Sequence, residues 1–249
     1  MNLTAENYFS VEANMYYMGA TQYKQFLECE AMALATAKGE YKEEETNSML
    51  VGSYVDAYYD GSLEKFKAEH KSIFTTKGEL KSEFKKAEYI IERIEKDLFF
   101  KKYMSGESQV IKTGIISQVP FKIKIDSYHP DKVIVDLKVM KDFQPIWKSG
   151  LRLNFIEAWG YDLQGAIYQA VEGNSLPFYI AGVTKETEPD LAIISIPNER
   201  LDYCLDQIKT NVQRFDSIKK GLIEPTRCEK CDYCKQTKVL TSVIDWESL

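Results

Sequence analysis

Between residues 109 and 139 the hydrophobic period of this chain changes, and that change limits the folds open to it. Upstream, apolar residues return every three or four positions. Tyr23, Phe26, Leu27, Ala31 and Leu34 form one stripe, which predicts a helix over 21–37. Leu50, Val51, Tyr54, Val55 and Tyr58 predict a second over 48–59; Gly61 ends it, and Ser62 can cap a short continuation through Leu63 and Phe66. Phe84, Ala87, Ile91, Ile94 and Leu98 predict a long surface helix over 80–103, with room for one break. Val, Ile and Phe then crowd into 109–117, 119–127 and 132–139, with Tyr128-His129-Pro130-Asp131 as a tight turn. These read as three successive strands. A helix over 155–171, strands over 177–183 and 191–196, and a last helix over 199–219 follow. The order predicts an α/β or α+β fold with a central mixed sheet flanked by helices. No GxGxxG follows a strand, which excludes a dinucleotide-binding pattern.

One continuous core is feasible at 249 residues, so the expectation is one domain over 1–249. Its helices occupy about 12–104, and a cysteine-rich tail occupies about 221–240. Lys and Arg total 32 against 38 Asp and Glu, a formal charge of −6. That balance gives no long-range pull on nucleic acid but leaves room for a local positive groove. The lysines at 81, 85, 86, 96, 101 and 102 are interleaved with glutamates and read as a solvated face. The first residues lack a basic n-region and an apolar h-region, and no stretch approaches the roughly 18 apolar residues of a membrane span. The expectation is a cytoplasmic chain, free of membrane, with its five cysteines reduced and metal chemistry more natural to them than disulfides.

Two groups of residues carry chemistry. In the second and third strands Phe121, Ile123 and Ile125 alternate with Lys122, Lys124 and Asp126, while Val133, Val135 and Leu137 alternate with Ile134, Asp136 and Lys138. Asp136 and Lys138 therefore share a face, and the short turn brings Asp126 close to it. Crowded carboxylates repel one another, and a hard cation such as Mg²⁺ or Mn²⁺ relieves that repulsion by accepting their oxygens. A lysine beside them can orient water or stabilise charge growing on a phosphoryl oxygen. An Asp-x-Lys strand is also an ordinary exposed polar face. Gln164 and Tyr168, four apart on one helix face, can bind substrate or an active-site group and stack on a base or position a phosphate. Gly52 and Asp56 are likewise four apart; the glycine allows close backbone approach, and the aspartate needs a partner if buried. His129 reads as surface polar, and His70 has no partner by spacing.

The second group is Cys228-x-x-Cys231-x-x-Cys234, three soft ligands that can face one ion or cluster. A four-ligand site needs one more. Cys204 lies in an apolar stripe and reads as a core residue.

With these motifs in order, the chain resembles the PD-(D/E)xK nuclease superfamily in its RecB-like and phage-type RecE-like exonuclease branch. Gly52-Ser-Tyr-Val-Asp56 is similar to the first motif, Asp126 to the second, Asp136-Leu137-Lys138 to the acidic-x-lysine motif, and Gln164-Gly-Ala-Ile-Tyr168 to the Gln-x-x-x-Tyr motif. Gln118-Val-Pro and Tyr161-Asp-Leu add to the likeness, which covers roughly Ala20 to Cys234. Asp56 stands where the branch usually has histidine, and a carboxylate can replace imidazole on a hard metal. Ile123 stands where a glycine is common. The resemblance implies a restriction-endonuclease-like core and a Mg²⁺- or Mn²⁺-dependent exonuclease of linear, double-stranded DNA. Metal would be held by Asp56, Asp126, Asp136 and the Leu137 carbonyl, with Lys138 at the attacking water and Gln164 and Tyr168 at the substrate end. It also implies a recombination setting with a single-strand annealing protein and a ring-like homo-oligomer. For the cysteines it implies that Cys29 joins Cys228, Cys231 and Cys234 around a [4Fe–4S] cluster; both late gaps are two residues here, and a tetrahedral four-cysteine site suits Zn²⁺ equally. Two other readings stay open: a nucleic-acid-binding protein of this fold without cleavage, and an interaction module held by its cysteine site.

Overall fold

A computed structural model describes residues 1–148, 150–243 and 245–248. The helices before the sheet are α1 (Val11–Tyr16), α2 (Ala20–Glu28), α3 (Glu30–Ala37), α4 (Asn47–Tyr59), α5 (Leu63–Glu69), α6 (Ser82–Glu95) and α7 (Leu98–Met104). The strands β1 (Glu107–Ile116), β2 (Val119–His129) and β3 (Val133–Met140) come next, then the small hairpin β4 (Ile146–Lys148) and β5 (Leu151–Leu153). The chain closes with α8 (Phe155–Ala158), α9 (Tyr161–Glu172), β6 (Phe178–Thr184), β7 (Leu191–Ser195), α10 (Asn198–Lys219) and α11 (Asp232–Gln236).

Two helices expected to be continuous are broken. The stripe over 21–37 splits at Cys29, whose backbone is extended (φ −160°, ψ 110°) and whose N–H still donates to the Gln25 carbonyl at 2.9 Å. The stripe over 155–171 splits at Trp159 and Gly160, where φ is +62°, a region open to glycine because it has no Cβ. The break allowed in 80–103 lies between α6 and α7, where the Asp97 carboxylate caps by accepting the Phe100 N–H at 2.9 Å. Ser62 makes no side-chain cap; its N–H donates to Asp60 instead. Strand β2 runs to His129, which moves the turn to the Pro130–Lys132 segment, with Asp131 at φ +58°.

The main sheet has the order β1-β2-β3-β6-β7, with β3 and β6 parallel and the other neighbours antiparallel. Both its faces are covered. Phe121, Ile123, Ile125, Ile134, Phe178 and Ile180 pack in one core with residues of α2, α9 and α10. Val133, Val135, Leu137, Ala181 and Val183 pack in the other with α4, α6 and α7. Burial on both sides explains why β3 and β6 are near-continuous apolar runs. This is an α/β fold with a restriction-endonuclease-like core.

One detail sets the site. The β2–β3 ladder pairs His129 with Val133, Tyr128 with Ile134 and Ser127 with Val135, then ends. Asp126 and Asp136 are the next residues on each strand, so the strands part where two like charges would face across the ladder.

Candidate active site

A cavity of about 480 Å³ opens at that parting. Asp56 of α4, Asp126 of β2, Asp136 and Lys138 of β3, and Gln164 and Tyr168 of α9 all line it. Asp126 Oδ2 accepts the Leu137 N–H at 2.9 Å, so the carboxylate replaces the missing rung of the ladder. Lys138 Nζ contacts Asp136 Oδ2 and donates to the Leu137 carbonyl at 3.2 Å. Asp136 is buried, and its other oxygen accepts from Gln164 Nε2 at 2.7 Å. The Tyr168 hydroxyl donates to the Lys124 carbonyl at 2.9 Å, and its ring meets Phe178 edge-on. Tyr168 thus ties α9 to β2 while lining the cavity.

Sequence reasoning passed over two contributors. Gln109 of β1 lines the cavity, sits at φ +55°, and keeps a buried Oε1 with no partner among the described residues. Its position opposite Asp126, between the Ser108–Ser127 and Val110–Ile125 pairs, interrupts the β1–β2 ladder. Nothing in the residue pattern signals that conformation. The segment around α1 also forms a wall: Lys122, expected on a polar strand face, is buried, contacts the Tyr8 carbonyl and donates to Asn14 Oδ1 at 2.7 Å. Met18 bridges to Phe121 and fastens that segment to β2. Gly52 does not admit a neighbouring backbone as expected, since a Cβ there would meet nothing within 4 Å.

The electrostatics are those of a crowded acidic floor. Burial raises the Asp126 carboxyl well above its ordinary range, and the Asp136 and Asp56 charges raise it further against Lys138 and the Leu137 N–H. Burial likewise lifts Asp56 to about 7, with Lys138 opposing. Burial alone would lower the Lys138 ammonium, but Asp136 and Asp126 outweigh it and raise it. Hard oxygen donors under mutual repulsion suit a divalent cation such as Mg²⁺ or Mn²⁺. The Leu137 carbonyl, which also accepts from Lys138, and the Gln109 oxygen, which has no hydrogen-bond partner among the described residues, add neutral oxygens to the set.

A second cluster lies apart. The sulfurs of Cys29, Cys228, Cys231 and Cys234 all lie within 4.8 Å of one another, the group of that kind found among the described residues. Cys29 Sγ is 3.6 Å and Cys228 Sγ 3.9 Å from Cys234 Sγ. Cys228 Sγ accepts the N–H groups of Lys230 (3.4 Å) and Cys231 (3.3 Å), which hold its thiol down at about 6; burial pushes Cys231 up to about 12. The extended backbone at Cys29 is what turns its sulfur out of the helix towards the tail. Arg214 forks onto Glu30 at 2.7 and 2.8 Å, and Glu30 also accepts the Thr226 N–H, so the tail is tied to α3 beside the thiols. This buried four-cysteine group can coordinate a metal ion. Cys204 is buried in the main core, as expected.

Among the described residues no helix is long and apolar enough to cross a membrane. No curated protein matches the chain. A crystal structure from Eubacterium rectale, of a protein named "Putative exonuclease", superposes with a TM-score of 0.95 at 46% identity, covering 98% of this chain and 97% of that one. A second structure, of SSO0001, reaches a TM-score of only 0.28 at 13% identity over 78% of this chain and 85% of that one, too low to bear on the argument. Residues 19–237 match the family described as PDDEXK-like domain of unknown function (DUF3799). With the parted hairpin, its acidic pair and lysine, and the Gln-x-x-x-Tyr helix behind them, the chain belongs to this PDDEXK-like family, within the PD-(D/E)xK nuclease superfamily.

Proposed function

We propose that the protein is a divalent-metal-dependent exonuclease acting on linear, double-stranded DNA. The observation that carries this reading is the convergence of Asp56, Asp126, Asp136, Lys138, Gln164 and Tyr168, from four separate elements, on one cavity. Asp56, Asp126, Asp136 and the Leu137 carbonyl would hold the cation. Such an ion, when bound, supplies Lewis-acid activation of water and stabilises charge on the departing oxygen. The chain's own residues do the rest. Lys138, pinned between Asp136 and the Leu137 carbonyl, presents positive charge where a phosphoryl oxygen gains negative charge. Gln164 fixes the orientation of Asp136, and Tyr168 fixes the β2 backbone two residues before Asp126. A name that contains "exonuclease" on the relative with 46% identity adds to this reading.

The test is digestion of end-labelled linear, nicked and circular DNA by wild type, D136A and K138A with Mg²⁺ or Mn²⁺. Metal-dependent release from linear ends, lowered by at least about 10²-fold in both variants, is expected. Equal background in all three would leave the same fold as a non-cleaving DNA binder.

The thiolate centre is proposed to be structural and to hold a single ion. Four sulfurs about 2.3 Å from one tetrahedral zinc stand roughly 3.8 Å apart; here all four lie within 4.8 Å of one another, with two of the six pairs at 3.6 and 3.9 Å. A four-iron cubane, in which each thiolate binds a different iron, asks for wider spacing. Elemental analysis of anaerobically purified protein decides: one zinc per chain supports a single ion, and iron with acid-labile sulfide supports the cluster.

A further inference from the structure

The catalytic cavity has a neighbour. A second cavity, of about 750 Å³, is bounded by α4, the end of β3 and the junction of α8 with α9. Asp56 and Lys138 line both cavities, so these two side chains form the partition between them. Both volumes fall within the roughly 300–1,000 Å³ of ordinary ligand sites. The two differ in charge. The first is lined by Asp56, Asp60, Asp126 and Asp136 against three lysines, and the second by Lys138, Lys141 and Lys185 against Asp56 and Asp142. An excess of lysine next to a phosphoryl-transfer floor suits the backbone of a polyanion.

Two further features of the second cavity have no packing explanation. Trp159 stands at its edge with 56% of its surface exposed, and among the described residues its indole stacks on no other ring. The backbone beneath it is fixed: its carbonyl accepts from Lys24 Nζ at 3.1 Å, and Gly160 follows in the left-handed region. A rigidly based, exposed indole beside lysines has the properties of a base-stacking platform. Gly52, also in the lining, lies in the interior of α4, where glycine is a poorer helix former than alanine. A Cβ there would meet nothing within 4 Å, so no neighbour demands the glycine, and a larger side chain would enter the cavity.

We infer that a single DNA strand runs through both cavities, with the phosphodiester to be cut over Lys138 and a base on the second-cavity side stacked on Trp159. This inference rests on the nuclease reading above and specifies where its substrate lies. The bare wall at Gly52 leaves room for the strand; Lys141, paired loosely with Asp142 at 3.7 Å, and Lys185, held by Ser48, supply positive charge along its path.

The test uses the full-length protein and linear oligonucleotides in which one abasic position is moved inward from the end. Stacking on one base is worth about 1–3 kcal/mol, so W159A should raise KM by roughly tenfold, with kcat changed by less than about twofold, and W159F should restore most of the loss. At one position the abasic substrate should raise the wild-type KM by a similar factor and leave that of W159A unchanged. G52L should raise KM without lowering the unfolding temperature. Equal KM for W159A and wild type, or an abasic penalty identical in both, would overturn the inference while leaving the nuclease in place. If the wild type cuts no DNA, the nuclease reading falls and the stacking claim is judged by binding without added divalent ion. Oligothymidylate should then quench the tryptophan emission of wild type and W147F but not of W159F; quenching that persists in W159F overturns it.

Discussion

Asp136 is gripped on both oxygens, by the Gln164 amide on one and the Lys138 ammonium on the other. The Asp-x-Lys pair and the Gln-x-x-x-Tyr helix were legible as motifs, because spacing alone places each pair on one face. What Gln164 and Tyr168 touch was not, since a periodicity says which way a side chain faces and not which atom it meets. Buried lysines escape the sequence for the same reason. Lys219, at the end of α10, is buried and donates to the Tyr17 carbonyl at 2.7 Å and to Gln22 Oε1 at 3.1 Å. Burial lowers its pKa to about 7; Asp216 opposes that, while Lys122 and Lys220 add to it. In the unfolded chain a lysine titrates near 10.4, so between about pH 7 and 10 the unfolded state binds more protons and stability rises with pH. Below that window both states are protonated and the cost of the buried charge is present in full. The stability of K219M relative to wild type, from urea unfolding, should therefore fall as the pH is raised from about 6 to 10. A difference constant with pH would mean that Lys219 stays charged when folded.

At the scale of elements, most helices and strands follow from hydrophobic period, and the breaks within them do not. The apolar stripe from Tyr23 to Leu34 passes straight through Cys29, because one extended residue between two helices leaves the apolar spacing readable on either side. The three-residue strands β4 and β5 are too short to show a period at all. Close contact between elements is equally silent. A Cβ on Gly165 of α9 would lie 2.6 Å from Phe178 Cδ1 and 3.0 Å from Leu201 Cδ2, so the helix seats on β6 only with glycine there. Alanine gains up to about 1 kcal/mol in helix propensity, but overpacking of this kind costs about 1–3 kcal/mol. G165A should thus be less stable than wild type in thermal unfolding. Because Gln164 is the adjacent residue and holds Asp136, its DNA hydrolysis should fall further than its stability does. A more stable G165A would show slack between α9 and β6.

For the molecule as a whole, the alternation of helical and strand segments made a mixed sheet with helices on it legible. The parallel pairing of β3 with β6 was not, because it depends on where the intervening hairpin and helices pack. The thiolate centre forms a small patch of its own, with Cys29, Ala31 and Cys234 buried together, separate from the two cores on the sheet. It brings together residues 205 positions apart, so a metal ion held there would close a long loop and stabilise the fold. If the proposed ion is bound, a strong chelator should lower the unfolding temperature. Amide exchange should rise in α11 and at the α2–α3 junction, while β2, β3 and β6 keep their protection. Loss of protection in the sheet at the same chelator concentration would mean that the centre governs folding of the entire chain.

The hairpin that stops pairing after Ser127 and Val135 bears on every charge-removing variant made there. Repulsion between two acids acts as a spacer, and the Leu137 amide is satisfied by one of them instead of by the opposite strand. Alanine at 126 or 136 removes the spacer along with the proposed metal ligand, so the next rung is free to zip and the gap to narrow. Asparagine keeps the bulk and an acceptor, and the difference between the two substitutions measures how much of the lost hydrolysis is lost shape.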